Sequence, residues 1–261
     1  MNLQFDILVV DDEQVIIDSV IKIAKMEDVS IDSALDVPTA LIKLETNNYN
    51  LIFSDIMMPG MDGFQFLQEI AQRKIKTPVI ITTGYSTLDN TVKALYYGAV
   101  GFIPKPFSFD ELSSIIKRGL RYNALLKKME EDSSALFFIP CPPKYLRLGF
   151  SSWLAENYDS TVLLGTTDIL LKLIESIEKV ELLNVDDGLK QGNECAKIFA
   201  EDGLIHTIYS SVTGRILEVN EKLLSNPKLI EKDPYFEGWI YRVLPSDLEN
   251  EKSQLISCSS D

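Results

Sequence analysis

The chain has 261 residues, 46% of them apolar and 25% charged, enough for one large domain or two of ordinary size with packed cores. Its net charge is −14, and the acidity is shared, since residues 1–125 carry 16 acids and 11 bases while residues 126–261 carry 23 and 14. Neither part has the basic face that neutralises phosphates, so no nucleic-acid partner is expected, and no apolar run approaches the ~20 residues of a membrane span.

The opening stretch MNLQFDILVVDDE is acidic at Asp6 and lacks the basic flank of a signal peptide, which leads to the expectation of a cytoplasmic protein. From there to about residue 130, apolar runs alternate with amphipathic segments. Phe5–Val10, Val29–Ala34, Tyr49–Ser54, Pro78–Thr82 and Val100–Pro104 read as strands. Segments near 14–26, 37–47, 62–73, 87–97 and 108–130 read as helices. A five-fold βα alternation predicts an α/β fold, a doubly wound five-stranded parallel sheet of flavodoxin-like type with both faces covered.

In such folds the chemistry gathers at the carboxyl ends of the strands. Strand 1 ends in Asp11-Asp12, strand 3 in Asp55, strand 4 in Thr82-Thr83-Gly84 and strand 5 in Lys105-Pro106. Carboxylates brought together repel, and a hard divalent cation relieves the conflict; Mg²⁺ takes oxygen ligands and keeps several waters. A remaining carboxylate can then act as nucleophile toward a phosphoryl group, with a threonine hydroxyl and a lysine charge for the new oxygens.

The stretches ILVVDDE, LIFSDIMMPGMDG, PVIITTGYS and GAVGFIPKPF match, in order and spacing, the motifs of the response-regulator receiver family, which the first half of the chain resembles. The resemblance implies that Asp55 accepts phosphate from a sensor histidine kinase. It implies Mg²⁺ held by Asp11, Asp12 and Asp55 with the backbone carbonyl of Met57. It assigns Thr83 and Phe102 as the switch pair and Lys105 as the partner of the phosphoryl group. Met57 and Tyr85 fall where the family tunes hydrolysis of the phosphoryl group, and both are bulky enough to hinder water.

The fifth helix carries Leu112, Ile115, Gly119, Tyr122, Leu126 and Met129 at heptad spacing, beside a second stripe of Ile116 and Leu120. Two readings stay open: one helix packed on the sheet with a solvated end, or a short dimer coil that would make a homodimer. EEDSS at 130–134 marks a polar boundary.

Beyond it the texture becomes β-rich. Leu136–Ile139, Thr161–Leu164, Val180–Leu183, Glu194–Ala200, Ile205–Tyr209, Arg215–Val219 and Trp239–Val243 read as strands separated by turn signals, with helical inserts near 167–178 and 220–225. This predicts a mostly-β barrel or sandwich. Cys141, Cys195 and Cys258 are odd in number and far apart, which reads as three reduced thiols.

The stretch YSSVTGRILEVNEKLLSNPKLIEKDPYFEGWIYRVLPSD resembles the H protein of the glycine cleavage system, a lipoyl carrier, and the likeness spans about 145–247. In that family the lipoylated lysine lies six residues before the tyrosine that opens the YSPVSG turn. Here that position is Gly203, which has no amine, so no lipoate is expected. Asp202-Gly203 is instead a type I′ hairpin signal. Lys197 falls along a strand rather than at the tip, and His206 reads as an ordinary strand residue. Tyr235, Phe236 and Trp239 read as core aromatics.

The expected organisation is a receiver at 1–124, a linker helix at 125–135, an H-protein-like domain at 136–247 and a polar tail at 248–261. The expected function is two-component signal transduction, with the non-lipoylated domain as an output that binds an unknown protein. A regulated but active lipoyl carrier, a transcriptional regulator and a phosphate sink are the competing readings.

Overall fold

The computed structural model describes residues 3–84, 88–132 and 134–260, with the backbone alone at Leu88 and Ser260. The first half runs β1 (Gln4–Val10), α1 (Gln14–Met26), β2 (Ile31–Ala34), α2 (Val37–Thr46), β3 (Asn48–Asp55), α3 (Gly63–Gln72), β4 (Val79–Thr83), α4 (Leu88–Tyr96), β5 (Gly101–Pro104) and α5 (Phe109–Glu131). The chain divides into two compact units, Met1–Ser86 with Tyr97–Ala135 and Thr87–Tyr96 with Leu136–Asp261.

In the first unit five parallel strands stand in the order β2-β1-β3-β4-β5. Ile7 and Val9 of β1 join Leu51, Phe53, Ile80 and Ile103 in one cluster with Ile17, Val20, Leu112, Ile115 and Ile116 of α1 and α5. The alternate residues Leu8 and Val10 are equally buried, as a sheet covered on both faces requires. Local chemistry starts the helices where the sequence places them. The Asp36 carboxylate accepts from the Thr39 amide (2.7 Å), while Asp62–Gln65 and Ser108–Glu111 form capping boxes at α3 and α5.

Helix α5 is continuous for 23 residues from Phe109 to Glu131, as one helix through 125–131. Leu112, Ile115, Gly119 and Tyr122 of its heptad stripe are buried, the first two within the cluster on the sheet. The first part of the stripe therefore packs within the protomer, while Leu126 and Met129 further along are only partly buried.

The second unit contains β6 (Leu146–Leu148), β7 (Ser152–Glu156), β8 (Val162–Thr166), α6 (Asp168–Leu171), β9 (Ile177–Leu182), β10 (Gly188–Leu189), β11 (Glu194–Ala200), β12 (Ile205–Tyr209), β13 (Gly214–Val219), α7 (Lys222–Ser225), α8 (Leu229–Lys232), β14 (Tyr241–Pro245), α9 (Leu248–Glu251) and β15 (Ile256–Ser257). A seven-stranded sheet, β10-β13-β14-β8-β7-β6-β15, faces a three-stranded one, β12-β11-β9, through a core that includes Leu154, Leu164, Ile198, Ile208, Ile216 and Tyr241. The expected mostly-β class holds.

Several expectations change here. Leu136–Ile139 is not a strand: the Ile139 amide donates to Asp168 Oδ2 (2.6 Å) and its carbonyl accepts from the Tyr235 hydroxyl (3.1 Å), so side chains satisfy it instead of a ladder. The helical insert expected near 167–178 shrinks to Asp168–Leu171, because β9 already starts at Ile177. The stretch 248–261, expected as a polar tail, carries α9, two 3₁₀ turns and β15, which pairs with β6 through Ile256↔Arg147 and Ser257↔Leu146. Buried Leu255 and Cys258 hold it down. Cys141 and Cys258 are joined in a disulfide and only Cys195 is free, contrary to three reduced thiols. The pair lies 117 residues apart, and no short-range spacing announces it.

Candidate functional site

The parallel register brings the polar strand ends together. Val10 pairs with Ser54, Asp55 with Thr82 and Thr83 with Pro104, so Asp11, Asp55, Thr83 and Lys105 arrive at one edge. Lys105 Nζ lies 2.7 Å from Asp11 Oδ2 and 2.9 Å from Asp55 Oδ1. The Met57 amide donates to Asp55 Oδ2 (2.7 Å), and the Glu13 amide to Asp11 Oδ1 (3.0 Å). Asp11, Asp55, Thr83 and Phe102 are all buried, whereas Asp12 and Met57 are exposed. Tyr85 lies outside the described residues.

The electrostatics follow from burial. Two carboxylates withdrawn from water would repel, and the Lys105 ammonium stands between them as a counter-charge. Burial pushes the Asp11 carboxyl above its ordinary range, and the bonds from Lys105 and the Glu13 amide offset this only in part. Burial also works against the Lys105 charge, but the bonds to Asp11 and Asp55 outweigh it and raise its pKa. Among the described residues no group of three or more His, Cys, Asp or Glu is arranged as a metal site. The donors are nonetheless hard oxygens suited to Mg²⁺. Asp55 Oδ1 is buried without a well-aligned hydrogen bond, a site that can still take a cation.

Two neighbours that the sequence reading placed at the strand ends were given no role in the site. Glu13 Oε1 lies 3.8 Å from Lys105 Nζ, and the Thr82 hydroxyl is buried beside Asp55 without a hydrogen-bond partner. Both sit one position from a residue that was given a role, and β4 is buried throughout, so burial alone does not mark Thr82.

In the second unit β11 and β12 form the hairpin expected from sequence, but its turn differs. The Gly203 amide donates to the Ala200 carbonyl (2.9 Å) and the Ala200 amide to the Leu204 carbonyl (3.0 Å). This is a three-residue loop, a type I turn closed by a left-handed residue rather than the two-residue type I′ turn. The positive φ falls on Gly203 (+80°) and not on Asp202. A Cβ at Gly203 would meet nothing within 4 Å, so the tip is open. Lys197 lies along β11 opposite Thr207 and pairs with Glu194 (3.2 Å). His206 is buried opposite Ile198.

The DPYFEGW segment is pinned from beneath. Trp153 Nε1 donates to the Pro234 carbonyl (3.1 Å), and Asn220 Nδ2 donates to the carbonyls of Glu237 (2.8 Å) and Trp239 (2.7 Å). Tyr235 is buried and Trp239 packs beside it, while Phe236 is 71% exposed and is not core.

Comparison with known proteins agrees with this division. Residues 7–117 match the response regulator receiver domain, and residues 146–260 match the glycine cleavage H-protein. The second segment is 36% identical over 105 residues to glycine cleavage system H protein 1 of Saccharolobus solfataricus, covering 76% of that protein and 40% of this chain. The first is 32% identical over 130 residues to the regulatory protein AtoC of Escherichia coli K12, over half of this chain. It is 35% identical over 115 residues to the transcriptional regulatory protein BasR of the same organism, over 44% of this chain. The chain spans 28% of AtoC and 52% of BasR. Among solved structures, the receiver domain of NtrX from Brucella abortus is 37% identical, with 44% of this chain and 98% of that one aligned at a TM-score of 0.42. A glycine cleavage system H protein from Mycobacterium marinum is 23% identical, with 46% and 94% aligned at 0.41.

The first half of the chain thus carries a segment that matches the response regulator receiver domain, related to that of AtoC and BasR. The chain belongs to the glycine cleavage H-protein family in its second half. The matched H-protein segment runs to residue 260, through β15.

Proposed function

We propose that the protein is a response regulator phosphorylated on Asp55 by a sensor histidine kinase, and that its H-protein-like domain is an unlipoylated module that binds another protein. The observation that carries the first part is the placement of Asp55. Its carboxylate ends the central strand β3, is buried, and is oriented by the Met57 amide and the Lys105 ammonium. An Asp55 oxygen attacks the phosphorus of a phosphohistidine, the P–N bond breaks, and the imidazole leaves with the electron pair. Asp11, Asp12, Asp55 and the Met57 carbonyl would hold Mg²⁺, which supplies charge neutralisation to the transferring group. Phosphorylation adds nearly two negative charges at Asp55. Lys105 already reaches that carboxylate, and Thr83 and Phe102 stand on the two adjoining strands, β4 and β5, as a switch pair. Such a kinase partner implies a cytoplasmic protein.

Asp55→Asn is expected to abolish labelling by a histidine kinase with radiolabelled ATP. Undiminished transfer to that variant would overturn the assignment.

Support for the second part is the glycine at the hairpin tip. Lipoate attaches through an amide to a primary amine, and Gly203 offers none while Lys197 is held along the strand by Glu194. Incubation with a lipoate ligase, ATP and lipoate is expected to leave the intact mass unchanged. A mass gain on the native chain would restore the active-carrier reading. Gly203→Lys, whose side chain would enter open space, tests whether the domain retains the surface a ligase needs.

A further inference from the structure

The strap that precedes β6 reads Ile139-Pro140-Cys141-Pro142-Pro143. Its three prolines have no N–H to give to a ladder. Its hydrogen bonds include the pair of side-chain bonds at Ile139, one backbone bond from the Tyr145 amide to the Pro142 carbonyl (2.9 Å) and a side-chain bond from the Tyr145 hydroxyl to the Tyr235 carbonyl (3.3 Å), and it is held besides by the Tyr145 ring against Trp153 and by the bond from Cys141 to Cys258. On the other side, Cys258 follows a two-residue edge strand and donates its amide to the Tyr145 carbonyl (3.1 Å). The disulfide therefore ties two weakly held segments to each other.

It does so outside the main core. Cys141 and Cys258 pack with Trp153, Ala155 and Tyr235, and with Tyr145, Leu163 and Trp239 around them. The large cluster between the two sheets contains neither cysteine. Opening the bond removes the covalent link between the strap and β15, leaves the Cys258-to-Tyr145 backbone bond directly between them, and keeps the strands that build the domain in place. Short edge strands and segments with few backbone bonds open locally at low cost, which gives a reagent access to a bond that is buried on average.

We propose that Cys141 and Cys258 are a reversible thiol–disulfide couple that exchanges with dithiols and latches the 139–145 strap to the C-terminal strand. A thiolate of the dithiol attacks Cys258 Sγ, the bond to Cys141 breaks, and Cys141 leaves as a thiolate that takes a proton. The second dithiol sulfur then attacks the mixed disulfide, releasing Cys258 and closing the reagent into its own disulfide. Two protein thiols are gained and the dithiol is oxidised by two electrons, so the exchange balances. Cys195 takes no part, because burial pushes its thiol up and keeps it protonated and inert.

The test uses the full unphosphorylated chain. Dithiothreitol under native conditions is expected to make two cysteines available to iodoacetamide, counted by intact mass and mapped to Cys141 and Cys258, with Cys195 labelled only after denaturation. Both tryptophans of the protein, Trp153 and Trp239, lie in this cluster. Their emission is therefore expected to shift on reduction, to return on adding oxidised glutathione, and to be unresponsive in Cys258→Ser. Far-UV circular dichroism should change little. The proposal fails if dithiothreitol yields no label without denaturant, if reduction unfolds the β domain, or if the reduced pair does not re-form with oxidised glutathione.

Discussion

Lys105→Ala is expected to lower the stability of the metal-free receiver half by about 3–5 kcal/mol near neutral pH, the usual consequence of removing one partner from a buried ionic cluster. The side chain is 11% exposed and stands between two carboxylates that are almost wholly enclosed. Its deletion leaves Asp11 and Asp55 facing each other without a counter-charge. The pH dependence has a definite sign. The Asp11 carboxyl is already raised in the folded protein, and losing Lys105 raises it further. The folded variant therefore binds a proton more readily than the unfolded chain, and its deficit shrinks as pH falls into the carboxylate range. Magnesium chloride is expected to restore much of the loss, and sodium chloride at equal ionic strength is not. Both tryptophans lie in the second half, so the measurement is hydrogen exchange at the β1 and β3 amides. Wild-type protection in the variant at neutral pH would contradict this account of the cluster.

Gly63→Ala is expected to slow phosphorylation of Asp55 by roughly 100-fold, the scale of an ångström misplacement of a reacting group. A Cβ at Gly63 would stand 2.2 Å from the Asp55 carbonyl oxygen and 2.8 Å from Ile56 Cα. Both are backbone atoms, so no side chain can swing aside, and the end of β3 must move. The Gly63 amide also donates to the Ile56 carbonyl (2.9 Å), so α3 and the phosphoacceptor strand shift together. A stability loss of about 1–3 kcal/mol should accompany the slower reaction. Gly60→Ala is the matched control. Gly60 has φ +80° but open space around it, so it should cost about 1 kcal/mol and leave the acetyl phosphate rate nearly unchanged. Equal rates for the two variants would show that the close approach at Gly63 does not position Asp55.

The receiver half was legible because its signals are local and reinforce one another. Apolar runs such as Phe5–Val10 can be buried on both faces only in a covered parallel sheet. The chemistry-bearing residues then fall at strand ends, which is where Asp11, Asp55, Thr83 and Lys105 lie. The heptad stripe of α5 left two readings open because a helix packing on a sheet and a helix packing on a helix bury the same spacing; Leu112 and Ile115 go to the sheet. The second half was harder to read because its decisive partners are distant in sequence. Leu136–Ile139 has the composition of a strand, but Asp168 and Tyr235 take its hydrogen bonds. Strands β6 and β7, around Trp153, are short and flanked by polar residues, so only the likeness to the carrier family, which spans about 145–247, covers them. Asp202-Gly203 announced a hairpin correctly, yet one additional loop residue decides the turn type.

The most direct measurement is peptide mapping by mass spectrometry after incubation with acetyl phosphate and Mg²⁺. A single phosphoryl group is expected on the peptide that carries Asp55, with none in the Asp55→Asn protein. Modification of a different residue, or none at all under conditions that phosphorylate a receiver of known competence, would contradict the claim that this buried carboxylate is the protein's phosphoacceptor.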